Sequence, residues 1–170
     1  MKILVIGGEG YIGQVLVTDL VKAGHFVRSF DLLIYGQEAN RGNKNKTNYE
    51  FIKGDINDQE KMHNCMQDID AVILLAGLVG DPITKKYPRE SKLINETGIK
   101  ATVNLCIKNK INRLIFVSTC SNYGFYNKQK LANEQSRLKP LSSYAKSKVL
   151  CEKYILSKKK NRFCPTILRF

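Results

Sequence analysis

The sequence predicts an α/β fold built on a parallel, doubly wound sheet, and three observations predict it. Short apolar runs at 3–6, 71–76 and 113–118 have the length and continuity of strands buried on both faces. Segments of helical apolar periodicity separate them, the spacing of a repeating strand–helix chain. Glycines at 7, 10 and 13 close the first run and open the first helix. In such a strand–turn–helix unit the bare backbone approaches an anion closely, and the free N–H groups of the helix start face it. Taken alone, the three glycines also fit an ordinary strand–helix turn without a ligand.

The first helix carries its apolar residues at Val15, Leu16, Leu20 and Val21 and breaks at Gly24. A second strand, 26–31, ends in Asp31. An acid about 20 residues beyond the glycine turn stands where such folds hold an adenosine ribose. A carboxylate there accepts from both ribose hydroxyls and repels a 2′-phosphate, so Asp31 favours NAD over NADP; the other reading is an Asp that caps a loop. Residues 36–48 are polar and turn-rich, a surface loop. A third strand, 49–53, is closed by Gly54-Asp55-Ile56, and an amphipathic helix follows over 58–66. The fourth strand, 71–76, breaks at Gly77 and leads into a loop over 78–82. A long helix spans 90–109, with apolar residues on more than one stripe. The fifth strand, 113–118, opens into the hydroxyl-rich turn 119–124, and a polar loop covers 125–140. A helix over 142–158 and a sixth strand from 165 complete the chain.

Composition narrows the function. The 170 residues suffice for one domain with a real core, 43% hydrophobic and 25% charged. There is no apolar run of about 18 residues, so no transmembrane helix is expected, and residues 3–6 are too few for a signal-peptide core. Five cysteines without a C-x-x-C pair read as reduced thiols of a cytoplasmic protein, and with only two histidines no metal site is expected. The net charge of +13 reads first as a lysine-rich solvated surface and next as attraction for a phosphate-bearing substrate. Nucleic acid is not expected as a partner, because no zinc-finger or aromatic RNA-binding signature accompanies the lysines.

Tyr144 and Lys148 are four apart, hence on one face of a helix, one turn apart. A phenol is a poor base at its ordinary pKa of about 10, and a nearby ammonium favours the phenolate. The spacing alone also fits an unremarkable helix surface. Thr119, at the end of a central strand, adds a second hydroxyl that can meet this pair beside a bound dinucleotide.

These residues resemble the extended short-chain dehydrogenase/reductase family, the NAD-dependent epimerases and dehydratases of nucleotide sugars. The motifs that carry the resemblance are Gly7-x-x-Gly10-x-x-Gly13, Asp31, Gly54-Asp55-Ile56, Leu75-Ala76-Gly77-Leu78, Asn95, Ser118-Thr119-x-x-x-Tyr123-Gly124 and Tyr144-x-x-x-Lys148, in family order across essentially the whole chain. The resemblance implies a Rossmann-type NAD-binding domain over 1–170. Tyr11 and Ile12 would approach the pyrophosphate, Asp31 would hold the ribose, and Asp55 and Ile56 would flank the adenine. Residues 75–78 would line the groove and Asn95 would support it. Tyr144 would be the catalytic base, Lys148 would bind the nicotinamide ribose and lower the Tyr144 pKa, and Thr119 would hydrogen-bond the reacting sugar hydroxyl. The implied reaction is transient oxidation of a nucleotide-sugar carbon, and the helices near 90–109 and 144–158 would pair two copies into a homodimer. Family dehydratases place an Asp-Glu pair after the threonine; here Cys120 and Ser121 stand there, which favours an epimerase or simple dehydrogenase over a 4,6-dehydratase, with a nucleotide-sugar dehydratase or reductase of the same family kept as an alternative. Family members run to roughly twice the usual single-domain length. The C-terminal substrate-binding part is therefore expected to be absent, and a non-catalytic, NAD-binding fragment is the alternative.

Overall fold

The computed structural model describes residues 1–35, 41–43, 45–125, 131–160 and 162–170. The expected loops at 36–48 and 125–140 thus lie partly outside the described residues. Strands β1 (Lys2–Ile6), β2 (Phe26–Asp31), β3 (Tyr49–Lys53), β4 (Ala71–Leu74), β5 (Arg113–Ser118) and β6 (Cys164–Arg169) form one sheet in the order β3-β2-β1-β4-β5-β6, every pair parallel. The order reverses between β1 and β4, and a crevice opens outside the carboxyl ends of these strands.

The period-2 alternation of β1 and β4 divides the core in two. Leu4, Ile6, Phe30, Val72, Leu74, Leu114 and Phe116 face one side. Helices α2 (Gln59–Cys65), α5 (Ile99–Lys108) and α6 (Ser143–Ser157) cover them with Met62, Val103, Cys106, Cys151 and Ile155. Full burial of each large apolar chain contributes roughly 1.5–3 kcal/mol. Ile3, Val5, Val27 and Ile73 face the other side, under Val17 and Val21 of α1 (Tyr11–Lys22). The two layers are unequal: on β6, Cys164, Thr166 and Leu168 stay exposed while Pro165, Ile167 and Arg169 are half-buried. All five cysteines are free.

Three elements differ from the sequence expectation. The loop expected at 78–82 folds from Asp81 into a short helix, α3 (Asp81–Lys86), with Pro82 in its first turn where a missing N–H costs nothing. The long helix expected at 90–109 is continuous but not uniform. It begins as α4 (Pro88–Lys92), passes through a π turn over Leu93–Gly98 and resumes as α5. Such turns reorient side chains at functional sites, and this one aims Asn95 at the crevice wall. Strand β4 ends at Leu74 rather than Ala76. The Leu75 and Ala76 N–H groups both donate to the Ile6 carbonyl, at 2.8 and 2.9 Å, and the chain turns over Gly7.

Candidate active site

The crevice is a cavity of about 770 Å³, within the range of small-molecule and cofactor sites. Its floor is the glycine turn. Gly7 has φ +86°, and a Cβ there would sit 2.6 Å from the Ala76 backbone nitrogen, so no side chain fits. A Cβ on Gly13 would collide with the Gly7 and Gly8 backbone, which lets α1 start directly on the turn. At Gly10 the nearest atom to a Cβ would be the Gly7 carbonyl oxygen at 3.4 Å, so bare backbone faces the cavity. No side chain caps α1 at Gly10. The N–H groups of its first turn are therefore available to an anion, and these residues fit a pyrophosphate.

Gly7, Gly10, Tyr11, Ile12, Gly13, Asp31, Asp55, Ile56 and residues 75–78 all line this one cavity, as do Thr119, Tyr144 and Lys148. Asp31 sits at the carboxyl end of β2. Its Oδ1 accepts from the Leu33 N–H at 2.8 Å and its Oδ2 from the Glu9 N–H at 3.0 Å. Asp55 takes the Asn57 N–H at 2.8 Å and so shapes the turn after β3. Asn95 does not line the cavity. It is fully buried behind the wall, where its Oδ1 accepts from the Leu78 N–H at 2.8 Å and its Nδ2 donates to the Leu78 carbonyl at 2.9 Å. This two-point hold fastens Leu78 to the π turn. The Cys151 thiol donates to the Asn95 carbonyl at 3.0 Å and ties the π turn to α6.

The chemistry-bearing end is built from β5 and α6. Ser142 caps α6 by accepting the Ala145 N–H at 3.1 Å, which sets Tyr144 and Lys148 in the first two turns. Thr119 is buried, and its Oγ1 accepts the Ser121 N–H at 3.2 Å, which leaves the hydroxyl proton to donate. Lys148 is only 2% exposed; its Nζ donates to the Val117 carbonyl at 2.9 Å and lies 4.6 Å from the centre of the Phe116 ring. Burial pushes its pKa down to about 8, with Cys151 and Glu152 pulling the other way. Burial pushes the Tyr144 phenol up from its ordinary value, against the lowering expected from the Lys148 ammonium. The ammonium directs one N–H to the Val117 carbonyl and stands 5.8 Å from the centre of the Tyr144 ring.

Residues the sequence did not single out support this end. Glu152, 2% exposed, accepts from Arg169 Nη2 and Nε and from Asn122 Nδ2 at 2.7 Å, and Asn122 also donates to the Ser118 hydroxyl. The Glu152 carboxylate thus pins β6 and the 120–123 turn to α6. No local pattern announces it, because its partners lie 30 residues before it and 17 after.

A six-stranded parallel sheet with a glycine turn at its switch point, and hydroxyl and ammonium groups at the far end of the same cavity, define a dinucleotide-dependent enzyme fold of the oxidoreductase type. The profile of the NAD dependent epimerase/dehydratase family matches residues 3–170, and the chain belongs to that family. It is 34% identical over 155 residues to a UDP-glucose 4-epimerase of Lactobacillus helveticus, covering 90% of this chain and 46% of that protein. It is 30% identical over 164 residues to a 3-beta-hydroxysteroid dehydrogenase of Mycolicibacterium neoaurum, covering 91% of this chain and 42% of that protein. Among solved structures, a Thermus thermophilus UDP-glucose 4-epimerase in complex with NAD superposes with a TM-score of 0.89 at 27% identity, over 99% of this chain and 54% of that one. The chain spans about half the length of the curated relatives it matches. Among the described residues no helix is long and apolar enough to cross a membrane, and no group of three or more potential metal ligands occurs.

Proposed function

We propose that residues 1–170 form the NAD-binding unit of a nucleotide-sugar epimerase-like enzyme that oxidises a sugar hydroxyl transiently. The observation that carries this reading is the convergence of Thr119, Tyr144 and Lys148 on the cavity whose floor is the glycine turn. NAD, when bound, supplies a positively charged hydride acceptor. The Tyr144 Oη takes the proton of the reacting hydroxyl, and the Thr119 hydroxyl donates to the same oxygen and orients it. Lys148 uses one of its three N–H donors on Val117, which leaves two for a ribose. Asp31 holds the adenosine ribose and disfavours a 2′-phosphate. Cys120 and Ser121, in place of an acid pair, lack the proton-transfer groups of an elimination and favour epimerisation over dehydration.

The test is turnover of UDP-glucose and UDP-galactose by the full product of the gene, with calorimetric titration of both cofactors. Interconversion of the two sugars and tighter binding of NAD(H) than NADP(H) are expected, with a narrower gap in Asp31→Ala. No interconversion would overturn the epimerase reading, and equal affinity for both cofactors would overturn the role of Asp31.

The same reading includes a homodimer through α5, its preceding π turn and α6. Leu93 (52% exposed) and Leu150 (47%) are exposed on these elements, and Lys146 and Lys153 stand one turn to either side of Leu150 on α6. Two such faces bring like charges together, so salt should favour the dimer by screening them. Light scattering at rising concentration should show a dimer that tightens between low and about 0.5 M salt, where the Debye length is only a few ångströms. A monodisperse monomer throughout would remove this assembly.

A further inference from the structure

Asn122 is fully buried in the 3₁₀ turn Cys120–Tyr123, which Thr119 caps. Its Nδ2 donates twice, to the Ser118 hydroxyl at 3.0 Å and to Glu152 Oε1 of α6 at 2.7 Å. Its N–H donates to the Thr119 carbonyl at 3.3 Å, and its carbonyl accepts the Lys139 N–H at 2.9 Å. One residue therefore reaches the end of β5, the segment that leads into α6, and α6 itself. Two residues on, Gly124 has φ +67°, and a Cβ there would collide with the Lys139 carbonyl. The turn and the segment before α6 thus pack backbone on backbone.

Burying an amide costs free energy unless its groups are bonded. The Asn122 Oδ1 has no hydrogen-bond partner among the described residues, so an apolar residue at this position would avoid part of that cost. Nor is the amide required to satisfy Glu152, whose carboxylate already accepts from Arg169 Nε and Nη2. What the amide adds is geometry. Tyr144, Lys148 and Glu152 follow one another at four-residue spacing on α6, broadly on one face. The bond from Asn122 to Glu152 fixes that face of the helix against the turn, and the bond to Ser118 fixes the turn against β5. Thr119 stands between Ser118 and the turn, with its Oγ1 held by the Ser121 N–H. Arg169 adds another tie by donating from Nη1 to the Tyr123 hydroxyl at 3.0 Å.

We propose that Asn122 is a positioning residue for proton transfer, which sets the Thr119 hydroxyl against Tyr144 by tying the turn after β5 to α6. This rests on the reading that Thr119 and Tyr144 act on the same substrate hydroxyl. Asn122 does not line the cavity, so it acts through Thr119 and not by contact with the substrate. Displacing a catalytic group by about 1 Å through a distant substitution costs up to about 10²-fold in rate.

The experiment measures steady-state interconversion of UDP-glucose and UDP-galactose, and NAD affinity by calorimetry, in the full product of the gene. The same measurements are made on Asn122→Ala, Thr119→Val and the double variant. Asn122→Ala keeps the backbone bonds and removes both amide bonds. It should lower kcat about tenfold, within the range for a displaced catalytic group, with NAD affinity and the sugar KM unchanged. In the Thr119→Val background the same substitution should lower kcat no further, because the hydroxyl it positions is gone. Should Asn122→Ala not fold, Asn122→Ser keeps a buried hydroxyl too short to span from Ser118 to Glu152, and the same comparison is read there. A loss of equal factor in both backgrounds would overturn the proposal, since Asn122 would then act on the scaffold and not through Thr119. So would an unchanged kcat in Asn122→Ala, or a fall in NAD affinity as large as the fall in kcat. With a parent that interconverts the sugars and is impaired by Thr119→Val, any of these results overturns this inference alone. A parent without turnover, or one indifferent to Thr119→Val, overturns the catalytic reading and this inference with it.

Discussion

Tyr144→Phe is expected to lower turnover by ~10²-fold or more, the usual scale of general acid–base catalysis, with NAD affinity little changed. The substitution keeps the ring, which is half-buried at the start of α6, and removes only the oxygen that would take the proton. Because burial alone raises the Tyr144 pKa, the phenolate needs positive charge nearby, and Lys148 and the bound oxidised cofactor are its sources. Activity of the parent should therefore fall on acidification, as the phenolate is protonated. That acid limb should be missing from whatever activity the Phe variant retains. Thr119→Val should also reduce turnover and spare cofactor binding. A Phe variant within a small factor of the parent would remove Tyr144 as the base.

Lys148→Met is expected to abolish turnover and yet stabilise the protein at pH 7. The ammonium is 2% exposed, and burial takes its pKa from an ordinary 10.5 to about 8. That difference corresponds to about 3 kcal/mol of destabilisation when the group is charged. Methionine matches the length of the chain but gives up the charge-assisted bond to Val117, worth about 2 kcal/mol, so a net gain of about 1 kcal/mol is expected. The sign with pH follows from the lowered value. Between about 8 and 10.5 the unfolded chain binds more protons at this position than the folded one, so stability rises with pH through that window. Below about 8 both states are protonated and the full cost is present. Denaturation of parent and variant at pH 7 and pH 10 reads this directly: the variant's advantage should shrink at the higher pH. Parallel stability profiles, or a variant less stable at pH 7, would mean that the lysine is not held charged against a desolvation cost. A buried group that destabilises its own fold is the expected signature of a residue kept for function.

The sequence alone was enough for the six parallel strands, because burial on both faces and turn chemistry are local properties, written in runs such as 71–76 and in the glycines at 7, 10 and 13. It also placed Asp31 and the Tyr144–Lys148 pair, since strand ends and helical spacing follow from the chain itself. What it could not carry was whatever depends on partners far apart in the chain. The helix at Asp81–Lys86 and the π turn at Leu93–Gly98 arise where backbone must close the crevice wall, and the hydrogen bonds between Asn95 and Leu78 exist only across that wall. Glu9 reads as a polar turn residue until Ser29 and Tyr49, 20 and 40 residues away, enclose it. The direction of the Tyr144 pKa was likewise decided by tertiary structure. Spacing puts a lysine on the same helix face, but burial depth and the Val117 carbonyl determine where its charge is directed.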